Sequence, residues 1–214
     1  MTTIADSVYL AVRQMLADGK LAAGQRVSQV ELAERLNCST VPVIEALRRL
    51  ESDGLLTKEP QKTARVRQLS ARELGGLYLV REGLEGIAAR LAATNINPEQ
   101  AADLIELRAA FEAASDAADI ERVNAQELAI HKMITQIADC PLLADQIERL
   151  ALIERTAASP TLTAGAPGRR RGSHHAVVQA IIDHDPQGAQ YLMQKHIQQG
   201  YEDLVHELEP PEGK

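Results

Sequence analysis

Apolar residues recur at helical rather than alternating spacing along most of this chain. Ile130, Ile134 and Ile137 share one face, and Val177, Val178 and Ile181 share another. Start signals punctuate the pattern. Ser28-Gln29-Val30-Glu31 and Ser70-Ala71-Arg72-Glu73 read as capping boxes, and Thr3-Ile4-Ala5-Asp6 as a looser version. Asn97-Pro98 and Asp185-Pro186 each pair an N-cap with proline at the first helical position, where a missing N–H costs nothing. Helices are expected to begin near residues 3, 28, 70, 98 and 186, and nearly everything past residue 70 reads as helix.

The exception lies at residues 55 to 67. Leu55-Leu56-Thr57, a turn containing Pro60, and the run Thr63-Ala64-Arg65-Val66-Arg67 predict a β-hairpin. Ahead of it, Val30, Leu32, Ala33 and Leu36 outline a short amphipathic helix and Asn37-Cys38 a tight turn. Ser39 then caps a second helix whose Val43, Leu47 and Leu50 face inward. Three helices followed by a hairpin is the order of a winged helix-turn-helix. The expected fold is mainly α, with a winged helix-turn-helix at residues 1–68 and an all-α antiparallel bundle of about six helices at residues 69–214.

In the second helix of the pair, Thr40, Ile44 and Arg48 stack at four-residue spacing on the outward face, with Arg49 beside them. A major groove would meet these residues, and Lys62 and Arg65 of the hairpin would join them. Arginine reaches guanine edges or phosphates, whereas Ile44 can offer only apolar contact to a thymine methyl.

The charge distribution agrees with local rather than general DNA binding. The net charge is -7, which argues against a protein that coats nucleic acid. Residues 1 to 70 carry ten Lys/Arg against eight Asp/Glu, giving +2 and leaving -9 for the remainder. A basic module on an acidic body fits those numbers. No basic segment leads into an apolar run, and no long uncharged apolar stretch occurs, so the expected location is the cytoplasm with no membrane partner. Cys38 and Cys140 are too few and too far apart for a disulfide framework or a metal knuckle.

Chemistry in the second region centres on histidine. Three of six histidines lie on the apolar stripes of three different helices: His131 with Leu128 and Ile134, His174 with Val177, Val178 and Ile181, and His196 with Leu192, Met193 and Leu204. Glu127 precedes His131 by one helical turn, so both can grip one ion. A carboxylate and three imidazoles suit a divalent transition metal such as Zn²⁺, Ni²⁺ or Mn²⁺. His175, His184 and His206 read as surface residues, and residues 159 to 171 as a flexible, then basic connection, either a lid or a loop. A bundle metal with an open position could also serve hydrolysis, which makes a metal-dependent enzyme the alternative. No separate base or nucleophile stands beside it, so none of the residues is assigned a catalytic role.

The stretch Ser39-Thr40-Val41-Pro42-Val43-Ile44-Glu45-Ala46-Leu47-Arg48-Arg49-Leu50-Glu51, with Gly54-Leu55 after it, resembles the recognition-helix signature of the GntR family of transcription regulators. That pattern runs Ser-Arg-Thr-Pro-Val-Arg-Glu-Ala-Leu-Arg-Arg-Leu-Glu, then Gly-Leu into the wing. Leu79-Val80-Arg81-Glu82-Gly83-Leu84-Glu85-Gly86-Ile87-Ala88-Ala89-Arg90-Leu91-Ala92-Ala93 is similar to the opening helix of the FadR-like branch, whose sensor domain is of the FCD type.

The resemblance implies a sequence-specific DNA-binding regulator. It also implies a metal held by Asp-x-x-x-His and two further histidines, with Glu127 standing here for the aspartate, and a small organic acid effector that modulates operator binding. Arg81 and Arg155 would then be partners for the effector's carboxylate. One winged helix reads a half-site, so a pseudo-palindromic double-stranded operator implies a homodimer, joined through the helical domains. Where the family usually carries arginines this chain has Thr40 and Ile44, and Thr63 replaces the wing-tip glycine. An operator unlike the family's common one is expected, with a dimeric module of weakened DNA affinity as a further alternative.

Overall fold

The computed structural model describes residues 3–57, 63–157 and 167–208, with the side chains of all of these except 167–173, 204 and 206–208. The chain forms two compact units. One comprises Met1–Ser70 with Ala151–Thr163, the other Ala71–Leu150 with Ala164–Lys214.

The first unit contains α1 (Ile4–Ala17), α2 (Gln29–Arg35), α3 (Thr40–Ser52), β1 (Leu56–Thr57) and β2 (Arg65–Val66). Local chemistry sets the helix starts. Thr3 and Asp6 form a complete capping box, each side chain satisfying the other's backbone amide, and Ser28 accepts from the Glu31 amide at 3.3 Å. Ser39 occupies the N-cap position of α3, but its side chain makes no capping bond, contrary to expectation. Between α2 and α3 the chain reverses at Asn37, whose φ of 49° is tolerated by a short polar side chain.

Val8, Val12 and Leu16 of α1 meet Val43, Leu47 and Leu50 of α3 in an aliphatic core closed by Leu55, Leu56 and Val66. Val30 is 59% exposed, so the inward face of α2 starts at Leu32, two residues later than its apolar residues suggest. The hairpin pairs Leu56 with Val66 and Thr57 with Arg65. Backbone bonds from Gly24 N to Val66 O, Val66 N to Gln25 O, and Val27 N to Ala64 O add a third segment to β2. That segment is too short for alternation to announce it.

The second unit is built from α4 (Ala71–Asn95), α5 (Pro98–Asp116), α6 (Ile120–Ile137), α7 (Pro141–Ala157), α8 (Pro167–Ile182) and α9 (Pro186–Leu208); from Ala151 onward α7 groups with the first unit. Helix α4 is packed against α9, α6 and α8, which explains its run of small buried residues, Gly86, Ala88, Ala89, Ala92 and Ala93. At Gly86 an added Cβ would lie 2.8 Å from Gln194 Cγ, so α9 approaches α4 only because no methyl intervenes.

Residues 167–171, expected in a connection, are the opening turns of α8. Pro167 there acts as a first-position proline, while residues 159–166 lie outside the described ones. Among the described residues no helix is long and apolar enough to cross a membrane.

Candidate functional site

Glu127 and His131 project from α6, His174 from α8 and His196 from α9, and the structure brings all four together. One ligand atom from each lies within 4.8 Å of all the others. Each histidine falls on a helix face that also carries Ile130 and Ile134, Val177 and Val178, or Met193 and Ile197, so burial of those aliphatics carries the imidazoles inward. Leu128, assigned by the sequence to the same stripe as His131, is instead 39% exposed, because the inward face of α6 runs through Val123, Ile130 and Ile134.

The rings pack against one another, with centroids 4.2 Å apart for His174 and His196 and 5.0 Å for His131 and His196. Phe111 of α5, wholly buried, lies 4.5 Å from His174 and closes the floor.

His131 Nε2 and His196 Nε2 are 3.0 Å apart. Two imidazole nitrogens bound at about 2.1 Å and a right angle to one ion stand about 3.0 Å apart, so this spacing suits a shared divalent cation as well as one shared proton. Three buried imidazoles and a half-buried carboxylate, convergent, form a donor set that fits such an ion.

Glu85 of α4, which sequence reasoning passed over, completes the arrangement. Its Oε2 accepts from His131 Nδ1 at 2.5 Å and its Oε1 accepts from Arg81 Nε at 2.6 Å. Burial pushes a carboxyl up, but the charges and hydrogen bonds of Arg81 and His131 outweigh it and hold Glu85 at about 2. The available signal was a charged i, i+4 pair on the face of α4 that also carries Leu74, Leu77 and Tyr78.

The two arginines expected to meet an effector are thus engaged elsewhere. Arg81 is buried against Glu85, and exposed Arg155 donates to the Ala17 carbonyl at 3.1 Å within the first unit, so it does not join the cluster. A different arginine lies on the inward stripe of α5. Arg108 falls between Leu104 and Phe111, and its buried Nε has no hydrogen-bond partner among the described residues, with Glu112 Oε1 3.8 Å away. Ser115 Oγ, on the other side of Phe111, is likewise buried without a partner among the described residues. Of the histidines read as surface residues, His175 is exposed, His184 is exposed yet bonded through Nδ1 to the Ala93 carbonyl, and the side chain of His206 lies outside the described residues, like that of Leu204.

On α3, Thr40 and Arg48 are exposed and Ile44 is partly so, on one face. Arg49 is tied down. Its Nη1 lies 2.6 Å from Asp6 Oδ1 and its guanidinium sits 4.3 Å over the Tyr9 ring, while Tyr9 donates to Asp53 at 2.7 Å. The Thr3 amide and the Arg49 side chain hold the Asp6 carboxyl at about 2. Arg65 is exposed on the wing, donating to the Gly24 carbonyl at 2.9 Å, and Thr63 is exposed; Lys62 lies outside the described residues.

The FCD domain profile matches residues 76–199, and that of the bacterial regulatory proteins, gntR family, matches residues 4–66. The chain is 31% identical over 204 residues to a probable D-xylose utilization operon transcriptional repressor of Paenarthrobacter nicotinovorans, spanning 92% of this chain and 86% of that protein. It is 28% identical over 191 residues to the HTH-type transcriptional regulator McbR of Escherichia coli strain K12, spanning 88% and 86%. The solved structure of E. coli McbR/YncC is similar throughout, with a TM-score of 0.82 at 26% identity, covering 98% of this chain and 100% of that one. These relatives are regulators of transcription rather than enzymes. The chain therefore belongs to the GntR family of bacterial transcription regulators, with a helix-turn-helix region followed by an FCD domain.

Proposed function

We propose that this regulator holds a divalent transition metal through Glu127, His131, His174 and His196, and that a small carboxylate effector received beside that centre alters how a cytoplasmic homodimer grips a pseudo-palindromic operator. The observation that carries the reading is the convergence of three buried imidazoles and a half-buried carboxylate from three helices, with ligand atoms within 4.8 Å of one another. A bound divalent ion would supply a positively charged, Lewis-acidic seat for a carboxylate oxygen.

The chain's own groups supply the rest. Arg108, inward-facing and one turn from Phe111, is the partner of the effector's carboxylate in this reading, in place of Arg81 and Arg155, and Ser115 offers a second polar contact. Phe111 against His174 keeps water from the floor of the centre. The effector acts only if it binds one arrangement of the dimer better than the other, since equal affinity shifts nothing. For the dimer, the outer face of α4 is the favoured surface: Leu79 and Val80 are 70% and 51% exposed, and Gly76 and Gly83 leave open space beside them. On the operator, Thr40, Ile44 and Arg48 read bases, while Lys62 and Arg65 follow the backbone.

The test combines metal analysis with binding to duplexes from the gene's own upstream region at two salt concentrations. Salt-sensitive binding that a carboxylate from a panel shifts only in the metal-loaded protein is the expected result. Protein that takes up no Zn²⁺, Ni²⁺ or Mn²⁺ on reconstitution would remove the metal from the account. A Leu79→Glu variant that stays dimeric in sedimentation would move the dimer interface elsewhere.

A further inference from the structure

We infer that Arg81 and Glu85 are positioning residues for His131, fixing from α4 which ring nitrogen of that histidine faces the cluster. The starting point is a placement that stability alone does not explain. Arg81 and Glu85 lie on the apolar face of α4 with side chains 11% and 3% exposed, and an apolar pair of similar volume is commonly as stable as a buried ion pair or more so. Glu85 divides its oxygens, Oε1 to Arg81 Nε and Oε2 to His131 Nδ1.

An ionised carboxylate only accepts, so the proton of neutral His131 sits on Nδ1. Nε2 then carries the lone pair, and it is Nε2 that points at His196, 3.0 Å away. An isolated imidazole has no such constraint. Arg81 in turn keeps Glu85 from turning, since its guanidinium is bonded to Oε1 and rests 5.4 Å from the Tyr78 ring centroid. Orientation of a ligand on α6 is thus imposed from α4.

The value of this arrangement for metal affinity rests on the metal reading above, but the tautomer does not. The experiment therefore begins with metal-free, full-length protein labelled with ¹⁵N at histidine, with the His131 signals assigned by their loss in His131→Gln. Wild type is expected to show His131 protonated at Nδ1. An Arg81→Met/Glu85→Leu double variant should release the ring toward Nε2 protonation, while Arg81→Met/Glu85→Gln, whose amide can donate as well as accept, should leave both tautomers populated. Zinc affinity, measured by competition with a chromogenic chelator, should fall about 10- to 100-fold in the first variant.

Wild-type His131 protonated at Nε2 overturns the inference whether or not the variants fold. So does a double variant that keeps the wild-type tautomer, or one that loses it with zinc affinity unchanged. Wild type that takes up no zinc, yet shows the Nδ1 tautomer and loses it in the first variant, would uphold the positioning role and sink the metal reading alone.

Discussion

The two units put their polar residues to opposite uses. In the winged helix-turn-helix the core is aliphatic, from Val8 to Val66, and the groups proposed to meet DNA are those that packing leaves outside, such as Thr40 and Arg48. In the FCD unit the polar groups are inside: His131, His174, His196, Glu85 and Arg81 are all buried. A buried polar group that is matched to particular partners, as Glu85 is to Arg81 and His131, has its position over-determined by them. A surface side chain is under no such obligation, and its residue type says little about its role. Arg48 and Arg49 make the point as exposed neighbours in sequence, since one shares a face with Thr40 and Ile44 while the other is bonded to Asp6 and stacked on Tyr9.

The largest effect belongs to the buried side. Divalent metal at about a thousand times its dissociation constant should stabilise the protein by about 4 kcal/mol, seen as a rise in thermal midpoint that chelator reverses. His174→Ala should abolish that rise. If the variant kept it in full, the buried polar groups would not be acting together and the contrast would collapse.

Smaller effects test the exposed side. Arg48→Ala should weaken operator binding by about 1–3 kcal/mol with no loss of thermal stability. Arg49→Ala should do the reverse, lowering stability while leaving operator affinity nearly intact. Equal losses of affinity in both, measured by fluorescence anisotropy at matched salt, would show that the Asp6 contact does not withhold Arg49 from DNA.

The smallest effect is a pH dependence. Asp6 titrates at about 2 in the folded chain against an ordinary 3.8, so its contribution to the α1–α3 contact is complete above 3.8 and lost as pH falls through about 2. Arg49 side-chain resonances should move across that window in wild type and stay flat in Asp6→Asn. Movement centred on the ordinary carboxyl value would show that the contact is not maintained in solution.

What could be read from sequence follows the range over which each cause acts. Helix starts at Ile4, Gln29, Ala71, Pro98 and Pro186 were legible because caps and first-turn prolines operate within four residues. The cluster was legible because histidines on aliphatic stripes are carried inward with their neighbours. Glu85 was not, since its partner His131 is 46 residues away, nor was the Asp6–Arg49 contact, which spans 43. Exposed Val30 and the missing Ser39 capping bond misled for a related reason. Residue type sets what a side chain can do, and the neighbouring elements decide whether it does it.

The Gly86–Gln194 approach constrains how this protein can diverge. A methyl at position 86 would require the Gln194 side chain to move or shorten, so substitutions at the two positions should tend to appear in relatives as matched pairs, small on one side when larger on the other. The α4–α9 seam is in that sense inherited jointly, and a domain recombined from two parents, one helix from each, should lose stability at that crossing before any residue of the histidine cluster had changed.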